Sequence, residues 1–380
     1  MGVYFDNAAT TFPKPENVYA FMDKFYRENG GNAGRGQYKL AAAASRVIAE
    51  TRMMLKEILQ CENKEVVFTP AATIAMNMVL QGIVKPGMTV YISPFEHNAV
   101  TRTLHALEQS ISIQVKVLPL TKSYQYDLEL TKSEFSDVKP DVLVVSHASN
   151  VCGLIAPVEQ LTSLAKQFSC ITVLDLAQTA GIVPVNIGSD NIDYAVFAGH
   201  KTLYGPIGIG GFVKKPQLMP EPVLFGGTGV ESALQDMPHD APARYEMGSQ
   251  DIHAISGLHA ALKWFQENVD AIRAKERENH LQLIKILSQY DNIEIVGPQN
   301  RENCIGVVSC VFEEYSSDNI GDVLDRQEIA VRTGLHCAPI AHRTLGTFPA
   351  GTVRFSISYF TSEEDFSRLD TALEYIYENA

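Results

Sequence analysis

From about residue 39 to about residue 215, short apolar runs alternate with stretches whose apolar residues recur at helical spacing. Leu40 to Gln60, rich in alanine, predicts a helix. A strand at Val66–Phe68, a helix from Thr73 to Gln81, a strand at Val90–Ile92 and a helix from Ala99 to Glu108 follow. Further strands are expected at Val142–Val145, Ile171–Leu174, Tyr194–Phe197 and Gly208–Val213, with a helix from Val158 to Gln167. Runs that read as buried throughout, alternating with helices, imply a mainly parallel sheet covered on both faces.

The rhythm breaks at Pro216–Gly248, where prolines and a Gly-Gly pair predict long loops. Between Asp251 and Tyr290 there is no proline and Gly257 is the only glycine, which suits one long helix, kinked or straight. The last ninety residues predict strands at Gly306–Val311, Val331 and Val353–Ser358 and helices at Asp318–Gln327 and Glu363–Tyr377. We therefore expect a large α/β domain over 1–255 and a smaller α+β domain over 256–380, with residues 1–15 able to pack on the second.

Length and composition narrow the function. A chain of 380 residues with 46% hydrophobic content can build sizeable cores in two or three domains. The formal net charge of −13 repels phosphate backbones, and no basic patch offsets it, so a nucleic-acid partner is not expected. Six cysteines without CxxC spacing form neither a disulfide framework nor a zinc site, so no metal is expected. MGVYFDNAAT has an early acidic residue and no apolar run, unlike a signal peptide, and Asp6 stands where myristoylation wants Ser or Thr. No apolar stretch is long enough to span a bilayer, and the chain reads as cytoplasmic.

Ligands of doubly wound sheets sit at the carboxyl ends of the strands. Asp175 ends the run Ile171–Leu174, Lys201 follows Ala195–Phe197, and Thr73 opens a helix after Val66–Phe68. Singly these are a loop carboxylate, a solvated lysine and a helix cap. Together they supply what pyridoxal phosphate needs: a lysine for a Schiff base, a carboxylate for the pyridine nitrogen and an anion site. Gln178 and His97 fall where they can approach the same ring.

The chain resembles the cysteine desulfurases of the class V aminotransferases (fold type I enzymes that depend on pyridoxal phosphate). The resemblance rests on DNAATTFPKP at 6–15, EHNA at 96–99, SHASNVCG at 146–153, LDLAQTAG at 174–181, FAGHKTLYGPIGIG at 197–210 and RTGLHCAP at 332–339. It implies a seven-stranded, mainly parallel sheet and assigns roles by position. Lys201 becomes the Schiff-base lysine, and Asp175 the partner of the pyridine nitrogen. Gln178 and Asn150 become ring ligands, and His97 the stacking and acid–base group. Ala72, Thr73 and His200 become phosphate ligands, and Ser249 reaches the phosphate of the other subunit in a homodimer. Arg354 pairs with the substrate carboxylate, with Asn150, Asn7 and Arg332 beside it. Cys337, next to His336 and followed by a Gly/Pro-containing segment that should be mobile and exposed, becomes the persulfide carrier. Cysteines 61, 170, 304 and 310 read as inert apolar thiols, and Cys152 as structural. Three departures stand out: Ala198 for a common serine, Ala71-Ala72 for a Gly-Thr pair, and Leu335 for a common histidine.

The resemblance thus implies conversion of L-cysteine to L-alanine with transfer of the sulfur from Cys337 to an unidentified acceptor, as in iron–sulfur cluster assembly. Selenocysteine lyase, with selenocysteine as substrate, another β-eliminating lyase or a class V aminotransferase is the alternative on the same scaffold. A nucleotide-binding reading of Gly205–Gly211 is weak, because the glycines do not match G-x-G-x-x-G. A non-catalytic sulfur-relay protein is disfavoured by the presence of both Lys201 and Cys337.

Overall fold

The computed structural model describes residues 2–33, 36 and 38–379. The chain opens with β1 (Val3–Tyr4), α1 (Glu16–Asn29) and α2 (Lys39–Ile58). Strands and helices then alternate as β2 (Glu65–Thr69), α3 (Ala72–Ile83), β3 (Thr89–Ile92), α4 (Asn98–Ser110), β4 (Gln114–Val117), α5 (Leu128–Asp137), β5 (Val142–Ser146), α6 (Val158–Gln167) and β6 (Ile171–Asp175). Two more strands, β7 (Tyr194–Ala198) and β8 (Gly210–Lys214), precede the loops and α7 (Ile252–Leu287). The remainder is β9 (Ile293–Ile295), β10 (Val307–Phe312), α8 (Ser317–Arg326), β11 (Ile329–Ala330), β12 (Arg332–Gly334), α9 (Pro339–Thr344), β13 (Thr352–Ser356) and α10 (Glu363–Glu378).

The large sheet has seven strands in the order β2-β8-β7-β6-β5-β3-β4. All neighbours are parallel except β8, which runs antiparallel to both β2 and β7. Every residue of β5, β7 and β8 is buried, as expected where helices cover both faces. This is the mainly parallel α/β architecture that the alternation predicts. Truncating a core side chain such as Phe197 or Phe212 would cost about 3–5 kcal/mol.

A second sheet, β12-β13-β10-β9, is antiparallel throughout and holds its own apolar core around Val308, Phe355 and Leu369. α7 links the two sheets as one continuous helix of 36 residues, started by Asp251, whose carboxylate accepts from the Ala254 N–H at 3.0 Å. Its Gly257 sits where a Cβ would collide with Met22 of α1 and Pro206, so glycine here serves close helix packing. β1 pairs in parallel with β11, and Asp6 bridges to Ser356 of β13. The N-terminal segment is thereby stitched to the C-terminal sheet.

Several elements escape the periodicity, the short strands β1 and β9 among them. β4 (QVKV) is a polar edge strand without a run of buried residues, and α1 and α5 bury only two residues each. Another is α9, in the segment after Cys337, where the sequence predicts a mobile and exposed stretch. Pro339 fixes the first helical turn, and Ala341 and His342 are buried beneath it.

Candidate functional site

One cavity of about 220 Å³ opens where the carboxyl ends of the parallel strands face the second sheet. Asp175 is the last residue of β6 and pairs in register with Ser146, the last of β5, while Lys201 lies three residues beyond β7. His97 is the N-cap of α4 and Thr73 the second residue of α3. Arg332 of β12, Arg354 of β13 and Cys337 close the cavity from the other side. Five strand ends of one sheet and two strands of another thus converge.

Lys201 is half-buried at the cavity wall, and desolvation pulls its ammonium down to about 8, against the opposing pull of Asp175. Burial raises the Asp175 carboxyl, which accepts one bond, from the Ala177 N–H at 2.8 Å. The backbone around the lysine is clamped by the N-terminal segment. The His200 carbonyl accepts from the Thr11 N–H (3.1 Å), Thr10 Oγ1 (3.1 Å) and Lys14 Nζ (2.7 Å). The Lys201 carbonyl accepts from Thr11 Oγ1 at 2.9 Å. That is the physical task of the DNAATTFPKP stretch, and Lys14, drawn down to about 7 by burial, is a participant the sequence reading passed over.

The His97 Nδ1 accepts from the Ala99 N–H at 3.0 Å, so the neutral ring carries its proton on Nε2. Burial, then the charge of Lys201, hold its pKa near 4, and the ring is uncharged at neutral pH. His200 is likewise lowered to about 4 by burial, and its Nδ1 is buried without a partner. α3 begins with no side-chain cap, leaving the N–H groups at Ala72 and Thr73 to the cavity. Gly210 of β8 lets that helix start sit close, since a Cβ there would stand 2.8 Å from the Ala72 nitrogen. Gln178 donates to the Ala8 carbonyl at 3.0 Å and lines the cavity, as does Asn150, which donates to the His336 carbonyl at 2.7 Å.

Arg354 is almost wholly buried. Its Nη2 pairs with Asp6 Oδ1 at 2.6 Å, its Nη1 donates to the Asn150 carbonyl at 3.0 Å, and its Nε has no partner. Arg332 Nη2 donates to Cys337 Sγ at 3.5 Å. Cys337 is half-buried, with φ of 57° following His336 at 47°, two left-handed residues in a row. Such backbone persists only when its surroundings hold it. Here the Cys337 carbonyl accepts from the Asn98 N–H at 2.7 Å, and His336 Nε2 bonds Thr352 Oγ1 at 2.7 Å. Burial drives His336 down to about 2, so it is neutral, and the cation beside the thiol is Arg332.

Two residues named from the sequence stay outside. Asn7 donates to the Ser356 carbonyl at 2.9 Å and accepts from the Phe12 N–H at 3.2 Å; its side chain holds backbone and does not line the cavity. Ser249 is exposed, in a groove with Tyr245 and Met247, away from the same chain's cavity. Cys152 is buried in the core of the large sheet. Glu96 and Asp6 were missed. Glu96, adjacent to His97, is fully buried and accepts from Ser93 Oγ, the Ser146 N–H and Ser146 Oγ. Both lie inside the stretches quoted above, and a charged residue beside a site histidine was the available signal. Among the described residues there is no cluster of three or more metal-binding side chains, and no helix long and apolar enough to cross a membrane.

Comparison with known proteins bears on this arrangement. The family model described as Aminotransferase class-V matches residues 3–369. A probable cysteine desulfurase 2 of Mycobacterium leprae is 31% identical over 96% of this chain and 89% of its own length. A probable cysteine desulfurase of Pyrococcus abyssi is 30% identical over 98% of this chain and 93% of its own. Among solved structures, the apo cysteine desulfurase of Thermococcus onnurineus NA1 superposes with a TM-score of 0.92 at 28% identity, covering 100% of this chain and 95% of that one. The cysteine desulfurase CsdA of Escherichia coli gives 0.87 at 27% identity, covering 99% and 95%.

Proposed function

The chain belongs to the class-V aminotransferase family, and from that premise we propose that it is a cysteine desulfurase, converting L-cysteine to L-alanine with Cys337 as the sulfur carrier. The observation that carries this reading is the convergence of Lys201, Asp175, Arg354 and Cys337 on one cavity.

The residues present fit pyridoxal phosphate, the cofactor of this family. A half-buried lysine with a lowered pKa, a buried carboxylate with one oxygen left over, an uncapped helix start and the unpartnered His200 Nδ1 match its aldehyde, ring nitrogen and phosphate. Lys201 would hold it covalently, Asp175 would face the ring nitrogen, and Ala72, Thr73 and His200 the phosphate. Gln178 and Asn150 would border the ring and His97 would stack on it. Bound there, the cofactor supplies an electron sink that makes the substrate's α-proton removable.

What the chain itself contributes follows from its groups. With a pKa near 8, Lys201 Nζ is in part a free amine at neutral pH, able to take and return a proton. Arg354, with Nε unpartnered, and Arg332 present two guanidinium groups to the substrate carboxylate. Cys337 Sγ attacks the substrate sulfur; the bond from that sulfur to Cβ breaks with its electrons left on carbon, which takes up a proton. The products are alanine and a Cys337 persulfide. Arg332, whose Nη2 lies 3.5 Å from Sγ, orients the sulfur toward the cavity it shares with Arg354.

The assembly that this reading implies is a cytoplasmic homodimer. Ser249, exposed and remote from its own cavity, would serve the neighbouring subunit's phosphate. Two domains, 1–255 and 256–380 with residues 1–15 on the second, are supported by the two separate sheets and by Val3 and Phe5 in the second core, although the start of α7 (Leu258, Leu262) packs in the core of the first. The test is alanine release from L-cysteine with mass spectrometry of Cys337. The reading expects one added sulfur on that residue, and its absence alongside alanine release would overturn it.

A further inference from the structure

A second cavity, of about 450 Å³, lies in a groove between α3 and α4. It shares Thr73, His97, Ala99 and Cys337 with the first, so Cys337 stands at the junction of the two. Its outer walls are Asn77 and Gln81, one and two turns beyond Thr73 on α3, and Asn98, Arg102 and Thr103 on α4. The α3 side is an ordered ladder: Gln81 donates to Asn77 Oδ1 and Asn77 to the Thr73 carbonyl, each at 2.9 Å.

The charge of this groove runs against that of the whole chain. No carboxylate lines it, although the sequence carries 44 acidic residues. Arg102 is exposed and makes no ion pair with any described residue. An unpaired guanidinium among neutral amides and hydroxyls is suited to an anion, above all a carboxylate. The volume is that of a small-molecule site. Cys337 is half-buried at its inner end with its backbone carbonyl held by the Asn98 N–H, and a sulfur on so fixed a residue favours an attacker small enough to enter.

We propose that the α3–α4 groove is the acceptor subsite, and that it takes a small thiol bearing a carboxylate. This rests on the desulfurase reading and adds the route by which the sulfur leaves. The acceptor thiolate attacks the outer sulfur of the Cys337 persulfide and forms a new sulfur–sulfur bond. The old bond to Cys337 Sγ breaks, and Cys337 departs as a thiolate. The product is the acceptor's persulfide, with no net oxidation or reduction and no further reactant.

The test compares mercaptopropionate, mercaptoethanol and cysteamine as acceptors for the cysteine-loaded holoenzyme. Each rate is normalised to that thiol's rate with a free cysteine persulfide. The wild type should favour the anionic over the cationic thiol by about tenfold, and Arg102→Glu should abolish or invert that order. The first alanine released per subunit should be unchanged in this variant. Ala106→Trp, at an exposed wall position, should slow all three thiols while sparing that first alanine. A second readout needs no turnover: without substrate, Cys337 should form mixed disulfides faster with anionic dithiodipropionate than with cationic cystamine, and Arg102→Glu should remove the difference. Equal rates for wild type and Arg102→Glu with every probe overturn the proposal. So does sulfur release to an acceptor protein when no small thiol is served. Absence of the first alanine in the wild type would instead strike the desulfurase reading, leaving the disulfide comparison to judge the groove.

Discussion

Replacing Glu96 by glutamine should change the pH dependence of stability in a calculable way. Burial, and after it the charge of Asp175, push the Glu96 carboxyl from 4.5 up to about 7, against the pull of its serine donors. Below pH 4.5 the group is protonated in both the folded and the unfolded chain and contributes no pH dependence. Between 4.5 and about 7 the unfolded chain ionises while the folded one does not, so stability falls as pH rises. Above 7 both are ionised and the loss is constant. The gap from 4.5 to about 7, at 1.36 kcal/mol per pH unit, makes that loss about 3 kcal/mol. Glutamine does not titrate. Its Oε1 can still accept from the Ser146 N–H and Ser93 Oγ, while its amide must donate to the Ser146 hydroxyl that formerly donated, a constant cost of about 1–2 kcal/mol. Urea denaturation of both proteins from pH 5 to pH 8 should therefore show the variant losing ground at the acid end and gaining about 2–3 kcal/mol on the wild type toward the alkaline end. A difference that stays flat would refute the reasoning. A slope of opposite sign would mean that the three donors outweigh burial and hold Glu96 as a carboxylate.

Lys201, lowered to about 8 by burial, should acylate in the cofactor-free chain with a midpoint near pH 8, the free amine being the form above it; competitive labelling with a midpoint near that of solvent lysines would contradict this. Lys201→Ala should lose covalent retention of the cofactor after borohydride reduction, read by mass. Cys337→Ser should form alanine at under about 1% of the wild-type rate while binding cofactor normally, and turnover at the wild-type rate would remove the persulfide route. Arg354→Lys, which keeps a cation opposite Asp6 but loses the fork, should raise KM for cysteine by roughly tenfold to a hundredfold with an unchanged cofactor spectrum; an unaltered KM would free Arg354 from substrate binding. Sedimentation should give a dimer, and Ser249→Ala should weaken cofactor retention; an active monomer would contradict the shared site.

The parts legible in the sequence are those that local chemistry dictates. Strands buried on both faces must be apolar at every position, so β5, β6 and β7 announce themselves as runs, and the residues that end them, Asp175 above all, fall at the ligand edge. The helix start at Ala72 and Thr73, the His-Lys turn and the long α7 follow from the same reading. The polar edge strand β4 and the lightly buried α1 and α5 lack such a signature, because little of their surface is removed from water.

Only the tertiary structure decided what each polar side chain spends its hydrogen bonds on. Asn7 and Asn150 read alike in the sequence, yet the first is used up on the Ser356 carbonyl and the Phe12 N–H while the second lines the cavity. Asp6 becomes the counterion of a buried arginine 348 residues away, a pairing no local pattern encodes. His336 adjoins Cys337 in sequence, yet burial strips its charge, and the cation at the thiol is Arg332 from another strand. Ionisation depends on the surrounding dielectric and on charges brought near by folding, and both are properties of three-dimensional packing. Residue types and their order determined which chemistry is available to this chain; packing decided which atoms remain free to perform it.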